Sequence, residues 1–203
     1  MATFVNPALV AFTAQLKDEL LLAEVFIRRG GAGYELRHVN DRDSATDSLR
    51  LLPLSEVRAL AQFTAENAFR PLKAAPTLRA GWRLFVTDDD ALESALELLY
   101  PGAIADWFAG QSAQPPVTDY REFTARQSGM YRITTMLTDA QAANVASECC
   151  DASRCLKRRL WTVPGLSPDC VDAKSIIPCL EPCAVLLESA RVAVRLEQAG
   201  DTQ

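Results

Sequence analysis

The sequence predicts an α+β chain in two parts: a small antiparallel sheet with helices over residues 1–112, then a mostly helical, cysteine-bearing part over residues 117–203. Three observations lead there. Two β-prone runs, Leu21 to Ile27 and Tyr34 to Val39, flank the glycine-rich Gly30-Gly31-Ala32-Gly33. From Thr118 onward the pattern turns helical. All six cysteines lie in the last 55 of the 203 residues, and none in the first 148.

Element by element, Asn6-Pro7 followed by Ala8, Leu9, Phe12 and Leu16 reads as an N-cap, a proline at the first helical position and an apolar stripe. The two β-prone runs pair as a hairpin, with strands over 20–28 and 34–39. The glycine run between them lacks the Gly-Lys-Ser/Thr ending and following helix of a phosphate loop, so it reads as a turn. Leu54 to Thr64 reads as a helix with apolar Val57, Leu60, Ala61 and Phe63. Arg70-Pro71-Leu72-Lys73, Pro76 and Gly81 mark an irregular connector. Trp82 to Val86 reads as a third strand. Asp88-Asp89-Asp90 opens a helix, because carboxylates suit the free amides and dipole of a helix N-terminus. The alternating spacing and glycine of a calcium loop are absent there. Tyr100-Pro101-Gly102 ends that helix, and Ile104, Trp107 and Phe108 suit a short one after it. Gln111 to Thr118, with Pro115-Pro116, reads as the linker. Helices are then expected over Tyr120–Arg126, Asp139–Cys149, Arg154–Trp161 and from Glu181 to about Gln198.

Composition excludes several classes. Hydrophobic residues make up 49% and charged residues 23%, the balance of a globular and not a disordered chain. No apolar run nears the ~20 residues a membrane span needs. Met1 to Lys17 carries no basic stretch followed by an apolar one, so no signal peptide is expected. With 21 basic against 26 acidic residues, the net charge is −5, which argues against a nucleic-acid partner. The single histidine, His38, excludes a His-rich zinc enzyme and any mechanism needing two imidazoles from this chain. On the second hairpin strand it reads as a structural histidine.

The cysteines are spaced Cys149-Cys150-x4-Cys155-x14-Cys170-x8-Cys179-x3-Cys183. Residues four apart at a helix start share a face, so Cys179 and Cys183 can converge, with Pro182 in the first turn. A helix N-terminus also favours an anionic thiolate. The other half of a site is Cys155 with Cys149 or Cys150. These lie beside Arg154, Lys157, Arg158 and Arg159, whose charge would offset thiolates. Four thiolates from two loops suit an iron–sulfur cluster or a structural zinc. Neither paired Cys-x2-Cys knuckles nor the Cys-x2-Cys-x2-Cys run of bacterial ferredoxins is present. Spacing alone therefore leaves the metal open, and with it the plainer readings of inert buried cysteines or disulfides. Cys170, in Ser167-Pro168-Asp169-Cys170, reads as a surface-loop bystander.

Several segments together resemble the C-terminal portion of CbiX-type cobaltochelatase-like proteins, a stabilising domain followed by a 4Fe-4S cluster-binding domain. The first is carried by Tyr34-Glu35-Leu36-Arg37-His38 and by Arg70-Pro71-Leu72-Lys73, continuing to Pro76, Leu78-Arg79 and Gly81-Trp82. The second is carried by Arg126-Gln127-Ser128-Gly129-Met130-Tyr131-Arg132, by Cys149-Cys150, Cys155-Leu156 and Leu160-Trp161, and by Pro178-Cys179-Leu180-Glu181-Pro182-Cys183. The resemblance implies a 4Fe-4S cluster on four cysteines. Cys155, Cys179 and Cys183 carry over directly, and Cys150 is taken before Cys149 for its shorter reach. The chelatase domain of the longer members is missing, and His38 alone cannot supply their paired histidines. The resemblance thus implies the accessory part of a tetrapyrrole–metal system.

Two functions are expected from this. The first is an electron-transfer or redox accessory to chelatase-type metabolism, with a protein redox partner or a chelatase as partner and the basic run from Arg154 to Arg159 as a docking element. The second is a structural or interaction module stapled by a cluster or zinc. No Cys-x3-Cys-x2-Cys radical motif, serine elbow or carboxylate pair supports an enzyme. Arg126, Tyr131 and Arg132 are candidates for contacts to the cluster or a partner, and Trp161 is expected to shield the cluster from water. A cytoplasmic, disulfide-free chain is expected, since an exposed cluster does not survive oxidation.

Overall fold

The computed structural model describes residues 6–70, 72–112, 118–150, 154–167, 176–180 and 182–200. Helix α1 (Pro7–Gln15) starts as its sequence requires: the Asn6 side chain accepts the N–H of Ala8 at 3.0 Å, and Pro7 fills the first position. Its buried Phe12 meets Trp107 edge to face, with ring centroids 5.4 Å apart.

The run expected as one strand is two. Strand β1 (Glu19–Leu22) turns at Ala23-Glu24 and returns as β2 (Val25–Gly30). Ala23 sits at φ 54°, a backbone position that local β-propensity does not foresee. The turn is anchored from afar: the Glu24 N–H donates to Tyr100 Oη at 3.3 Å. Strand β3 (Gly33–His38) then completes the expected hairpin. Glycine is required at Gly33, where φ is 141° and a Cβ would lie 2.2 Å from the Val86 carbonyl oxygen.

Strand β4 (Arg50–Leu52) was not foreseen from the sequence. A turn of 3-10 helix leads into α2 (Val57–Gln62), and the irregular connector ends in β5 (Trp82–Val86). The sheet order is β1-β2-β3-β5-β4. The first four strands in that order pair antiparallel, as expected, while β4 joins β5 in parallel at the edge. Asp88 caps α3 (Asp89–Leu99) by accepting the Ala91 N–H at 2.8 Å. After the Pro101-Gly102 break comes α4 (Ala103–Ser112). The core under this sheet is built on Phe12, Leu22, Ile27, Leu36, Leu84 and Leu96.

Beyond the expected linker, whose residues 113–117 lie outside the described ones, β6 (Thr118–Asp119) leads into α5 (Tyr120–Ala125). A 3-10 stretch over Gly129–Met136 follows, then α6 (Asp139–Cys150). The helix expected over Arg154–Trp161 does not form. The segment is extended, with β7 (Arg158–Arg159) and β8 (Trp161–Thr162). Its backbone pairs outward instead of with itself: Leu156 N–H to Ala74 O at 2.6 Å, Arg158 N–H to Ile177 O at 2.8 Å, and Leu160 O from Thr118 N–H at 3.1 Å. Arg159, Trp161 and Val163 are buried at every second position, a strand period hidden inside a charge run.

Strand β9 (Pro178–Cys179) pairs parallel with β7, and α7 (Ala184–Gly200) begins at Ala184, later than the expected Glu181. A second core gathers Tyr120, Phe123, Val145, Trp161, Leu186 and Ala190. Among the described residues no helix is long and apolar enough to cross a membrane.

Candidate metal centre

Four cysteines from four segments of the chain reach one space. Cys150 is the last residue of α6, and Cys155 stands just before β7. Cys179 sits in β9, where it pairs with Arg159. Cys183 precedes α7, and its Sγ accepts the Leu186 N–H at 3.5 Å, so it caps the helix. Cys179 and Cys183 therefore do not share a helix turn as expected. One is held by a strand bridge and the other by a helix start, because a proline disfavours helical backbone in the residue before it and Cys179 is already paired.

All four side chains line a cavity of about 230 Å³. Trp161, Pro182 and Leu186 share its wall, and the first half of the chain supplies Leu72, Lys73, Ala74 and Pro101. Cys149 is not among the lining residues. It is buried in the helical core, with its sulfur 3.3 Å from Ser189 Oγ. Neighbours on a helix point about 100° apart, so one of the pair faces the cavity and the other the core. Cys170 lies outside the described residues. The five described cysteines are thiols and not disulfides.

Burial sets their chemistry. It pushes the Cys150 thiol far up, and the Cys179, Cys155 and Cys183 sulfurs add to that. Cys179 is pushed up to about 12 by burial first and by Cys155 next, while Lys157 and the Trp161 indole N–H pull the other way. Cys149 is also raised, chiefly by burial. Cys150 and Cys179, each raised by burial and by the other sulfurs, cannot both ionise without a cation to hold them.

The first-half wall rests on a buried polar network that sequence reading missed. Glu24 Oε2 accepts Tyr100 O–H at 3.0 Å and Leu78 N–H at 3.1 Å. Arg70, fully buried, stands 4.0 Å from the same oxygen and donates to Ala61 O, Lys73 O and Thr77 Oγ1, each at 3.1 Å. His38 Nδ1 accepts the Asn40 N–H, leaving a neutral ring's proton on Nε2, 3.6 Å from Glu24 Oε1. His38 is buried on β3, and its Nε2 makes no hydrogen bond of ordinary length. The marker within reach of sequence was Arg70-Pro71-Leu72-Lys73, which carried the resemblance but showed no chemistry of its own.

The basic run is not one exposed face. Arg159 is buried, stacks over Trp161 at 5.1 Å and donates to the Trp161 and Ser167 carbonyls. Lys157 pairs with Asp106 at 2.7 Å. Of the residues flanking Gly129, Arg126 lines a neighbouring pocket with Glu122, Trp161 and Cys179, whereas Tyr131 and Arg132 line neither space.

The donor set fits a cluster. Every metal-ligating side chain in the cavity wall other than the lysine amines is a thiol. A zinc ion would gather four sulfurs at about 2.3 Å. The thiols line the cavity wall, and the buried Trp161 Nε1–H beside them makes no hydrogen bond of ordinary geometry.

An α+β half walling a four-thiol cavity defines an iron–sulfur cluster-binding protein. Residues 7–111 match the family model of the DR2241 stabilising domain, and residues 112–192 match the 4Fe-4S iron–sulfur cluster binding domain. The chain belongs to the DR2241 stabilising-domain family and carries a 4Fe-4S cluster-binding domain behind it. Among solved structures it is similar to DR2241 from Deinococcus radiodurans, with 29% identity and a TM-score of 0.74 over 93% of this chain. That protein is described as multi-domain, with structural similarity to chelatases and two additional novel domains. This chain spans only 41% of it. No curated protein matches the chain.

Proposed function

We propose that Cys150, Cys155, Cys179 and Cys183 hold the 4Fe-4S cluster, and that the protein is a cytoplasmic electron-transfer or redox accessory to chelatase-type tetrapyrrole metabolism. The carrying observation is the four-thiol cavity, with Cys149 turned away from it. The cluster, when bound, supplies one-electron chemistry. The chain's own residues do the rest. Trp161, Leu186 and Leu72 keep water from the sulfurs. Lys73 and Lys157 bring positive charge to the wall of an anionic centre. The accessory role draws on the chelatase similarity described for DR2241. A protein redox partner or a chelatase is the expected partner.

One observation favours a second reading, a cluster that staples structure. The cavity is walled by both halves of the chain, so a bound cluster ties Leu72–Ala74 and Pro101 to the cysteine segments. Anaerobic purification with iron and sulfide analysis, followed by a redox titration, separates the two. Reversible one-electron cycling supports the carrier. A cluster that is present but decays on reduction supports the staple, and a protein without iron and sulfide refutes both.

A further inference from the structure

Trp161 is tightly held beside the cavity. It is 1% exposed. Phe123 stacks on it with ring centroids 4.8 Å apart and planes 14° apart, and Tyr120 lies 5.6 Å away. The Arg159 guanidinium sits over the same indole. These contacts leave the ring little freedom to turn, so its Nε1–H points in one direction. That N–H is buried and makes no hydrogen bond of ordinary geometry, yet it stands near enough to the Cys179 sulfur to favour its thiolate. A buried indole donor without a good acceptor is costly, so a fold keeps one only where something accepts it.

The acceptor is at hand. Trp161 and Cys179 line the cluster cavity together, and they also line the adjoining polar pocket. The two side chains therefore form the partition between both spaces. A neutral thiol is a weak acceptor, whereas a metal-bound thiolate is a good one. Resting on the reading of Cys179 as a ligand, we infer that the Trp161 indole N–H donates a hydrogen bond to the Cys179 thiolate of the loaded centre and raises its reduction potential.

The sign follows from charge. Reduction adds one electron, the negative charge on the sulfurs grows, and a fixed donor favours the more negative state. The cation over the ring makes the N–H a stronger donor. Water exclusion by the same indole acts in the opposite direction, so the donor must be removed without removing the bulk.

Site-specific replacement of Trp161 by benzothienylalanine does this, with sulfur in place of N–H in the same bicyclic frame. Anaerobic redox titration of the full chain should show the reduction equilibrium shifted about tenfold toward the oxidised cluster, a potential about 59 mV lower for a one-electron couple. An unchanged or higher potential overturns the inference. A second measurement needs no change of shape. With nitrogen-15 indole labelling, the reduced cluster should show a nitrogen coupling in pulsed EPR that Trp161→Phe removes. A coupling that persists in Trp161→Phe, or is absent from the unsubstituted protein, also overturns it. Iron and sulfide analysis of the unsubstituted protein separates this failure from failure of the cluster reading itself.

Discussion

Glu24→Ala removes the carboxylate on which the first-half wall rests. Two buried donors lose their acceptor, the Leu78 N–H at 3.1 Å and the Tyr100 O–H at 3.0 Å. Each orphaned group costs about 1–3 kcal/mol. Arg70 loses a counter-charge at 4.0 Å but keeps three acceptors, so the ion pair adds little. The sum is about 3 kcal/mol, the low end for breaking a buried pair. For a chain of this size that lowers Tm by about 6–12 °C. Glu24→Gln keeps a carbonyl for both donors and should cost about 1 kcal/mol. Urea unfolding of the cluster-free protein measures both. The order Glu24→Ala well below Glu24→Gln, and that below the parent, is expected. A Glu24→Ala protein within about 1 kcal/mol of the parent would refute the reasoning, since it would mean that water or rearranged carbonyls satisfy these donors at no cost.

The ligand set predicts that Cys150→Ala, Cys155→Ala, Cys179→Ala and Cys183→Ala each lose iron and the broad visible absorption, while Cys149→Ala and Cys170→Ala keep both; iron content of the six variants decides it. Gly33→Ala should destabilise by more than about 2 kcal/mol, because strain at positive φ adds to a backbone clash; a melt unchanged from the parent would contradict the hairpin geometry. Alkaline pH should weaken the fold. Burial holds Tyr34 and Tyr120 up at about 12, and Tyr100 higher still, against an ordinary value near 10. Their contribution is complete below pH 10 and is lost as pH rises toward 12 and beyond. Urea midpoints should fall between pH 9 and pH 11.5, and equal midpoints would disprove it.

Local signals were legible in the sequence. Asn6-Pro7 and Asp88 each announced a helix by a side chain that bonds two or three residues ahead. Trp82–Val86 announced a strand by composition alone. The errors fall where a distant partner decides. The Ala23 turn depends on Tyr100, β4 depends on β5, and the Arg158–Arg159 bridge depends on Pro178–Cys179. In the last case four cations in six residues imitated a helix face, although one of them is buried under an indole. The cysteines were legible as a set, since few other uses explain such clustering. Their geometry was not, because Cys179 and Cys183 are placed by different elements. Nothing in the spacing hinted that Leu72–Ala74 and Pro101 would close the other side of the cavity.

The shared wall has a consequence for how the protein is made. A ribosome releases the chain from its N-terminus, so the sheet and its wall loop can fold before any cysteine has emerged. Ala74 then waits for Leu156, and the α4 surface around Gly110 waits for Pro178. Each later segment docks on a finished template, and Cys183 is the last of the four cysteines to arrive. With the proposed ligand set, iron delivery becomes a late step of maturation. Ribosome-bound chains stopped just short of Cys183 should resist protease over the first half while carrying no cluster. A defect in the early half would surface as an iron deficiency more than 70 residues downstream of the Lys73 wall.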